Sequence, residues 1–145
     1  MSATIAADER VQVLEFGLGT ERYCVAIEYV TEIVDVGTVT AVPNAPRYVE
    51  GVMDLRGRTT SIVDPTVLLG VDGESDPQRI VVFDPETVGE DRAVGWLVDE
   101  VYQVLDVESG DVEESPAWDD SGEISGVVKR ENGFLIWVDP QSIHA

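Results

Sequence analysis

Two stretches of this chain run in parallel. GVMDLRGRTTSIVD fills residues 51–64 and GVVKRENGFLIWVD fills residues 126–139. A slide of 75 residues sets Gly51 on Gly126, Val52 on Val127, Val63 on Val138, Asp64 on Asp139 and Pro65 on Pro140. A slide of 71 lays IEYVTEIVDV (27–36) on VDEVYQVLDV (98–107), with Glu28 on Asp99, Val30 on Val101 and Asp35-Val36 on Asp106-Val107. A looser match sets LEF (14–16) near VVF (81–83). Because glycines, acids and a proline agree as well as valines, the pattern reads as a duplication. A unit of roughly 70 residues has a marginal core. Two such units must therefore bury apolar faces on each other, and the seam between them is a natural binding place.

The units read as β. Valine occurs 25 times against 8 leucines, and β-branched side chains pack well on a pleated surface. Short apolar runs such as VQVLEF, RYCVAI, RIVVF, RAVGWLV and FLIWV alternate with the turn strings G-L-G-T, P-N-A-P, D-G-E-S-D-P, D-P-E-T-V-G-E-D, D-D-S-G and E-N-G. This spacing predicts an all-β barrel or sandwich. E-N-G at 131–133 predicts a hairpin turn. PTVLLG (65–70) and PQSIHA (140–145) each follow an Asp and open with Pro, an N-cap and first-turn signal for two short helices. The leader MSATIAADER lacks the cationic start and apolar run of a signal peptide and reads as frayed.

Composition removes several functions. Twenty-nine acids against nine basic residues give a net charge of −20, which repels nucleic acid and anionic membrane. The acids are spread along the chain and Lys129 is the single lysine, a pattern expected of a high-salt cytosol such as that of a halophilic archaeon. The longest charge-free stretch, 36–46, is eleven residues with two prolines and is too short to span a bilayer. Cys24 has no partner for a disulfide and no cation beside it, so it reads as a small core residue. With His144 the only histidine, triads and Cys/His metal sites have almost nothing to use. Asp120-Ser121-Gly122 spells an aspartic-protease triplet, but EESPAWD before it is not the apolar strand that such a site follows. No phosphate-binding G-x-x-x-x-G-K-[ST] loop occurs. A hydrolase using a carboxylate pair stays as a distant alternative, since acids are too common for any one pair to be informative.

The stretch DLRG predicts a turn with a strand on either side. An arginine at a glycine-bounded tip projects freely and can donate bidentately to a carboxylate of a partner. In so acidic a surface it also supplies charge contrast that fixes orientation.

EFGLGTERYCVAIEYVTEI, NAPRYVEGVMDLRGRTTSIVD and GWLVDEVYQVLDV together resemble the CheW family of chemotaxis coupling proteins. The most specific pieces are V-x-E-I, then G-V-x-[ND]-L-R-G, then I-V-D, and the likeness runs from about residue 11 to 143. The resemblance implies two interlocked SH3-like five-stranded β-barrels, roughly 11–75 and 76–143, around a shared apolar interface. It implies a cytoplasmic adaptor with no chemistry, no cofactor and no metal. Its partners would be the regulatory domain of the histidine kinase CheA and the cytoplasmic tips of methyl-accepting chemoreceptors, and it would reach the membrane only through them. Glu32 and Arg56 occupy the motif positions implicated in that coupling and are expected to form a surface ion pair. Val30, Ile33, Val52, Met53 and Leu55 would supply apolar contact, with Asp54 and Gly57 shaping the tip. Asp54 in place of Asn, Arg58 in place of an apolar residue and Ser61 in place of Pro depart from the family pattern. A detached CheA regulatory domain and the coupling half of a CheV-like protein are the close alternatives.

Overall fold

The computed structural model describes residues 10–71, 73, 75–88, 93–114, 123–131 and 133–144. In chain order the elements are β1 (Arg10–Leu18), β2 (Glu21–Ala26), β3 (Val30–Asp35), β4 (Val49–Leu55), β5 (Arg58–Val63), α1 (Pro65–Leu69), β6 (Arg79–Phe83) and α2 (Pro85–Val88). They continue with β7 (Val94–Val98), β8 (Glu100–Glu108), β9 (Val112–Glu114), β10 (Ile124–Arg130), β11 (Gly133–Val138) and α3 (Pro140–Ile143). The leader before Arg10 and the triplet Asp120-Ser121-Gly122 lie outside the described residues.

The strands form a six-stranded sheet, β8-β1-β2-β11-β10-β9, and a five-stranded sheet, β3-β6-β7-β5-β4. These are one order written twice. In the second, β3·β6, β6·β7 and β5·β4 are antiparallel while β7·β5 is parallel. In the first, β8·β1, β1·β2 and β11·β10 are antiparallel while β2·β11 is parallel. The sixth strand, β9, pairs with β10 where the other sheet has only the bridge Thr40↔Val52. The shift of 75 thus sets the hairpin β4–β5 on β10–β11, the shift of 71 sets β3 on β8, and the LEF/VVF match sets β1 on β6.

The sheets do not follow the division near residue 75 expected from the repeat. The five-stranded sheet takes the continuous run 30–98, whereas the six-stranded one takes 100–138 and is completed by the hairpin β1–β2. A cut at 75 would strip β5 of its parallel neighbour β7, so each sheet needs strands from both halves.

Period-two alternation sends side chains of the inner strands into two cores at once. Leu14, Phe16 and Leu18 of β1 face Val81 and Phe83 of β6 and Trp96 and Val98 of β7 in a core shared by both sheets. The opposite faces line smaller private cores. Val13, Cys24, Val107, Val128, Leu135 and Trp137 belong to the six-stranded sheet, and Met53, Ile62, Ile80, Val82 and Leu97 to the other. In the first, Val107 on edge strand β8 meets Val128 on β10, so the sheet curves upon itself.

Trp96 is fully buried at the centre of the shared core. Phe83 meets its ring edge-on at 4.9 Å and 76°, and Phe16, from the other sheet, at 6.2 Å and 70°. Its Nε1–H donates to His144 Nε2 at 2.9 Å. That bond requires Nε2 unprotonated, so the imidazole is neutral, and it ties the turn after α3 to the core. Burial pushes the His144 pKa below its ordinary value.

Two expected helices form as read. Asp64 accepts from Thr66 N at 3.0 Å and Asp139 from Gln141 N at 3.0 Å, each with Pro in the first turn. The glycines that open both repeated hairpins have a shared cause. A Cβ on Gly51 would fall 2.1 Å from Thr40 O, and one on Gly126 2.7 Å from Glu113 O, because the bridging segment crosses there. Both lie at a register shift of the ladder.

Two measurements check these points. Gly51→Ala, which also places a Cβ at a φ of +152°, should lower unfolding stability by about 2–4 kcal/mol in urea titration. For His144, the unfolded chain holds its proton up to about pH 6.5 and the folded one releases it at lower pH. The contribution of His144 is therefore complete above about pH 6.5 and is lost as pH falls through the depressed folded value. Wild type should lose more stability than His144→Gln when the two are compared from about pH 7 to about pH 5.

Candidate functional site

The β4–β5 hairpin closes with Leu55 opposite Arg58, leaving Arg56 and Gly57 as its two-residue loop. Their φ values are +53° and +82°, the sign pattern of a primed turn that suits strand twist. Glycine adopts it freely, but arginine gives up about 1–2 kcal/mol to do so. Asp54 Oδ1 accepts from Gly57 N at 2.8 Å and pins the turn. Aspartate at position 54 thus serves as the acceptor that closes this turn.

The left-handed backbone at Arg56 turns its side chain toward β3. Nη1 donates to Glu32 Oε2 at 2.9 Å. The arginine side chain is 79% exposed and the glutamate 29%. Glu32 stands on β3, the edge strand of its sheet. Its second oxygen, Oε1, is buried and accepts no hydrogen bond among the described residues. The pair borders a cleft of about 130 Å³ with Thr31, Leu55, Arg58 and Thr60. The tip therefore offers a projecting fork of donors, which suits recognition of another polar surface, while the second Glu32 oxygen is withdrawn from solvent beneath it.

The other expected contacts divide. Glu32, Asp54, Leu55, Arg56 and Gly57 meet at the tip. Ile33 is 38% exposed on the outer face of β3, and Val52 is half-buried beside its bridge to Thr40. Met53 is a correction. Its side chain points inward, is 8% exposed and packs in the private core of the five-stranded sheet. Val30 is half-buried against the shared core and adds little surface. Two apolar residues escaped sequence reading, Val36 at 37% and Val42 at 43% exposed. Both lie in the charge-free run 36–46, so an uncharged stretch too short for a membrane was the available signal.

Cys24 is buried, and desolvation pushes its thiol up to about 12, which keeps it protonated and inert. Among the described residues no group of three His, Cys, Asp or Glu is placed to hold a metal ion. No helix among them is long and apolar enough to cross a membrane.

The CheW-like domain family model matches residues 12–145. The chain is 35% identical over 105 residues to the chemotaxis protein CheW of Rhizobium meliloti, covering 72% of this chain and 66% of that protein. It is 26% identical to the CheW of Thermotoga maritima over 99% of this chain and 93% of that protein. The crystal structure of the scaffolding protein TtCheW from Thermoanaerobacter tengcongensis superposes with a TM-score of 0.77 at 25% identity, covering 90% of this chain and 85% of that one.

A double-mutant cycle over Glu32→Ala and Arg56→Ala should return a coupling of about 0.2–1 kcal/mol at low salt. The value should shrink toward zero at about 1 M salt, where the screening length is about 3 Å. A coupling indifferent to salt would mean a pair far drier than this one.

Proposed function

The chain belongs to the CheW-like domain family, and from that premise we propose that it is a non-catalytic adaptor of chemotaxis signalling. In this reading it bridges the regulatory domain of the kinase CheA and the cytoplasmic tips of chemoreceptors, and it joins membrane-associated arrays only through them.

The observation that carries the reading is the arginine held at positive φ on an exposed hairpin tip over a half-buried glutamate. A solvated tip has no use for a strained arginine, since glycine or asparagine would close the same turn at lower cost. The strain is recovered if a partner carboxylate meets the guanidinium. Ile33, Val36 and Val42 add apolar surface on β3 and the loop after it. Apolar contact supplies affinity there, and the Glu32–Arg56 pair supplies orientation. Arg58, beside the tip, extends the cationic edge where the family pattern has an apolar residue.

Arg56→Glu tests the proposal. Circular dichroism should be unchanged, because the side chain is exposed and the turn needs only its backbone. Affinity for a CheA regulatory domain or a receptor tip fragment, measured by co-elution and titration, should fall about tenfold or more, since reversal places two acids face to face. Unaltered affinity for both partners would remove the tip from the contact surface.

A further inference from the structure

The second cluster of charge lies at the mouth of the six-stranded sheet. Glu15 on β1 occupies the place that Val82 holds in the repeat, for Glu15 pairs with Cys24 as Val82 pairs with Gly95. It is 2% exposed. A carboxylate so placed must be met by donors, because burial strips it of water. Three side chains meet it. Arg22 Nη1 donates to Oε2 at 2.8 Å, Gln103 Nε2 donates to Oε1 at 3.1 Å, and Arg130 Nη1 stands 3.7 Å from Oε1.

One cation would neutralise Glu15, and two are present. Arg22 sits over the Tyr102 ring, its Cζ 3.9 Å from the centroid, a cation–π contact that helps to place the guanidinium. The Arg130 guanidinium is in ion-pair range of Glu15 but beyond hydrogen-bond range, and it makes no side-chain hydrogen bond among the described residues. Both arginines line a pocket of about 610 Å³, with Phe134, 57% exposed, as an apolar wall and Glu131 at the rim. Most of the donors in two planar forks are thus unspent, aimed at a cavity and backed by a fixed counter-charge.

We propose that this pocket binds a small oxyanion, a carboxylate or a phosphate group, gripped by Arg22 and Arg130 in front of Glu15. Planar bidentate geometry suits both groups. Glu131 opposes the ligand, so the rim tunes affinity against the arginine pair. Lys129 takes no part, because it alternates to the other face of β10 and pairs with Glu113 at 3.2 Å.

The test titrates the whole chain with inorganic phosphate, with acetate and with a tetraglutamate peptide, following the arginine Nε–Hε resonances by NMR. Saturable shifts of Arg22 and Arg130 are expected. Arg130→Gln should weaken binding about tenfold or more, Glu131→Gln should strengthen it, and Lys129→Gln should leave it unchanged. Binding of the free anions assigns the pocket to a small molecule. The same residue dependence with the peptide alone assigns the carboxylate to a protein side chain. Absence of saturable shifts with all three probes, or equal weakening by the Lys129 and Arg130 variants, would overturn the proposal.

Discussion

The fold depends on the ring stack that joins its two sheets. Each private core is small, and neither could outweigh the conformational entropy of its own strands. The shared core changes that balance. Phe16 and Tyr23 enter from one sheet, Phe83 and Trp96 from the other, and the aromatic contacts Phe16–Trp96 and Phe83–Trp96 cross or abut the seam. Large buried aromatics of this kind contribute about 3–5 kcal/mol each when judged by truncation. Strands β6 and β7 are accordingly apolar on both faces, and IVVF and VGWLV read as unbroken apolar runs, whereas β1 carries Glu15 on its other face.

Duplication gave two copies of one strand order, and divergence gave them different ends. In the five-stranded sheet the hairpin tip throws its cation outward over Glu32. In the six-stranded sheet the equivalent hairpin turns Arg130 inward over Glu15. The exchange of Val82 for Glu15 at matched positions makes the difference, since a buried acid draws cations that an apolar residue would leave in water. The glycines before each hairpin did not diverge, because the crossing backbone of Thr40 or of Glu113 leaves no room for a Cβ.

Local signals were legible in the sequence. Asp-Pro steps at 64–65 and 139–140 announced helices, and D-L-R-G announced the turn with its projecting arginine. Asp84-Pro85 carries the same signal and opens α2, with Asp84 Oδ1 accepting from Glu86 N at 3.0 Å, yet the polar string after it reads as a divider between strands. The repeat was legible too, but not its permuted assembly. Which hairpin completes which sheet is decided by pairing between residues 10–17 and 100–108, far apart in the chain. The E-N-G turn agrees with the pairing of Arg130 with Gly133, while Asn132 lies outside the described residues. Strand parity separates Val52 from Met53, and the register that sets parity comes from pairing, so the apolar contacts of the tip were beyond sequence reading. Glu15 was hidden for a related reason, as an acid between Leu14 and Phe16 looks like the polar face of a half-exposed strand.

The placement of the cations completes the argument. Arg10 pairs with Glu108 across β1·β8, Arg79 with Asp35 across β6·β3 and Lys129 with Glu113 across β10·β9. Each clamps an edge strand, where an open ladder would otherwise invite foreign pairing. All three are well exposed, so each contributes at most about 1 kcal/mol and less as salt rises. The two remaining clusters differ in having an acid withdrawn from water, Glu32 in part and Glu15 almost wholly. Screening by salt acts least on buried charge. In a chain this acidic, the electrostatic contact that best keeps its strength in a saline medium is thus the one around Glu15, whereas the exposed guanidinium of Arg56 leaves the Glu32 pair open to screening.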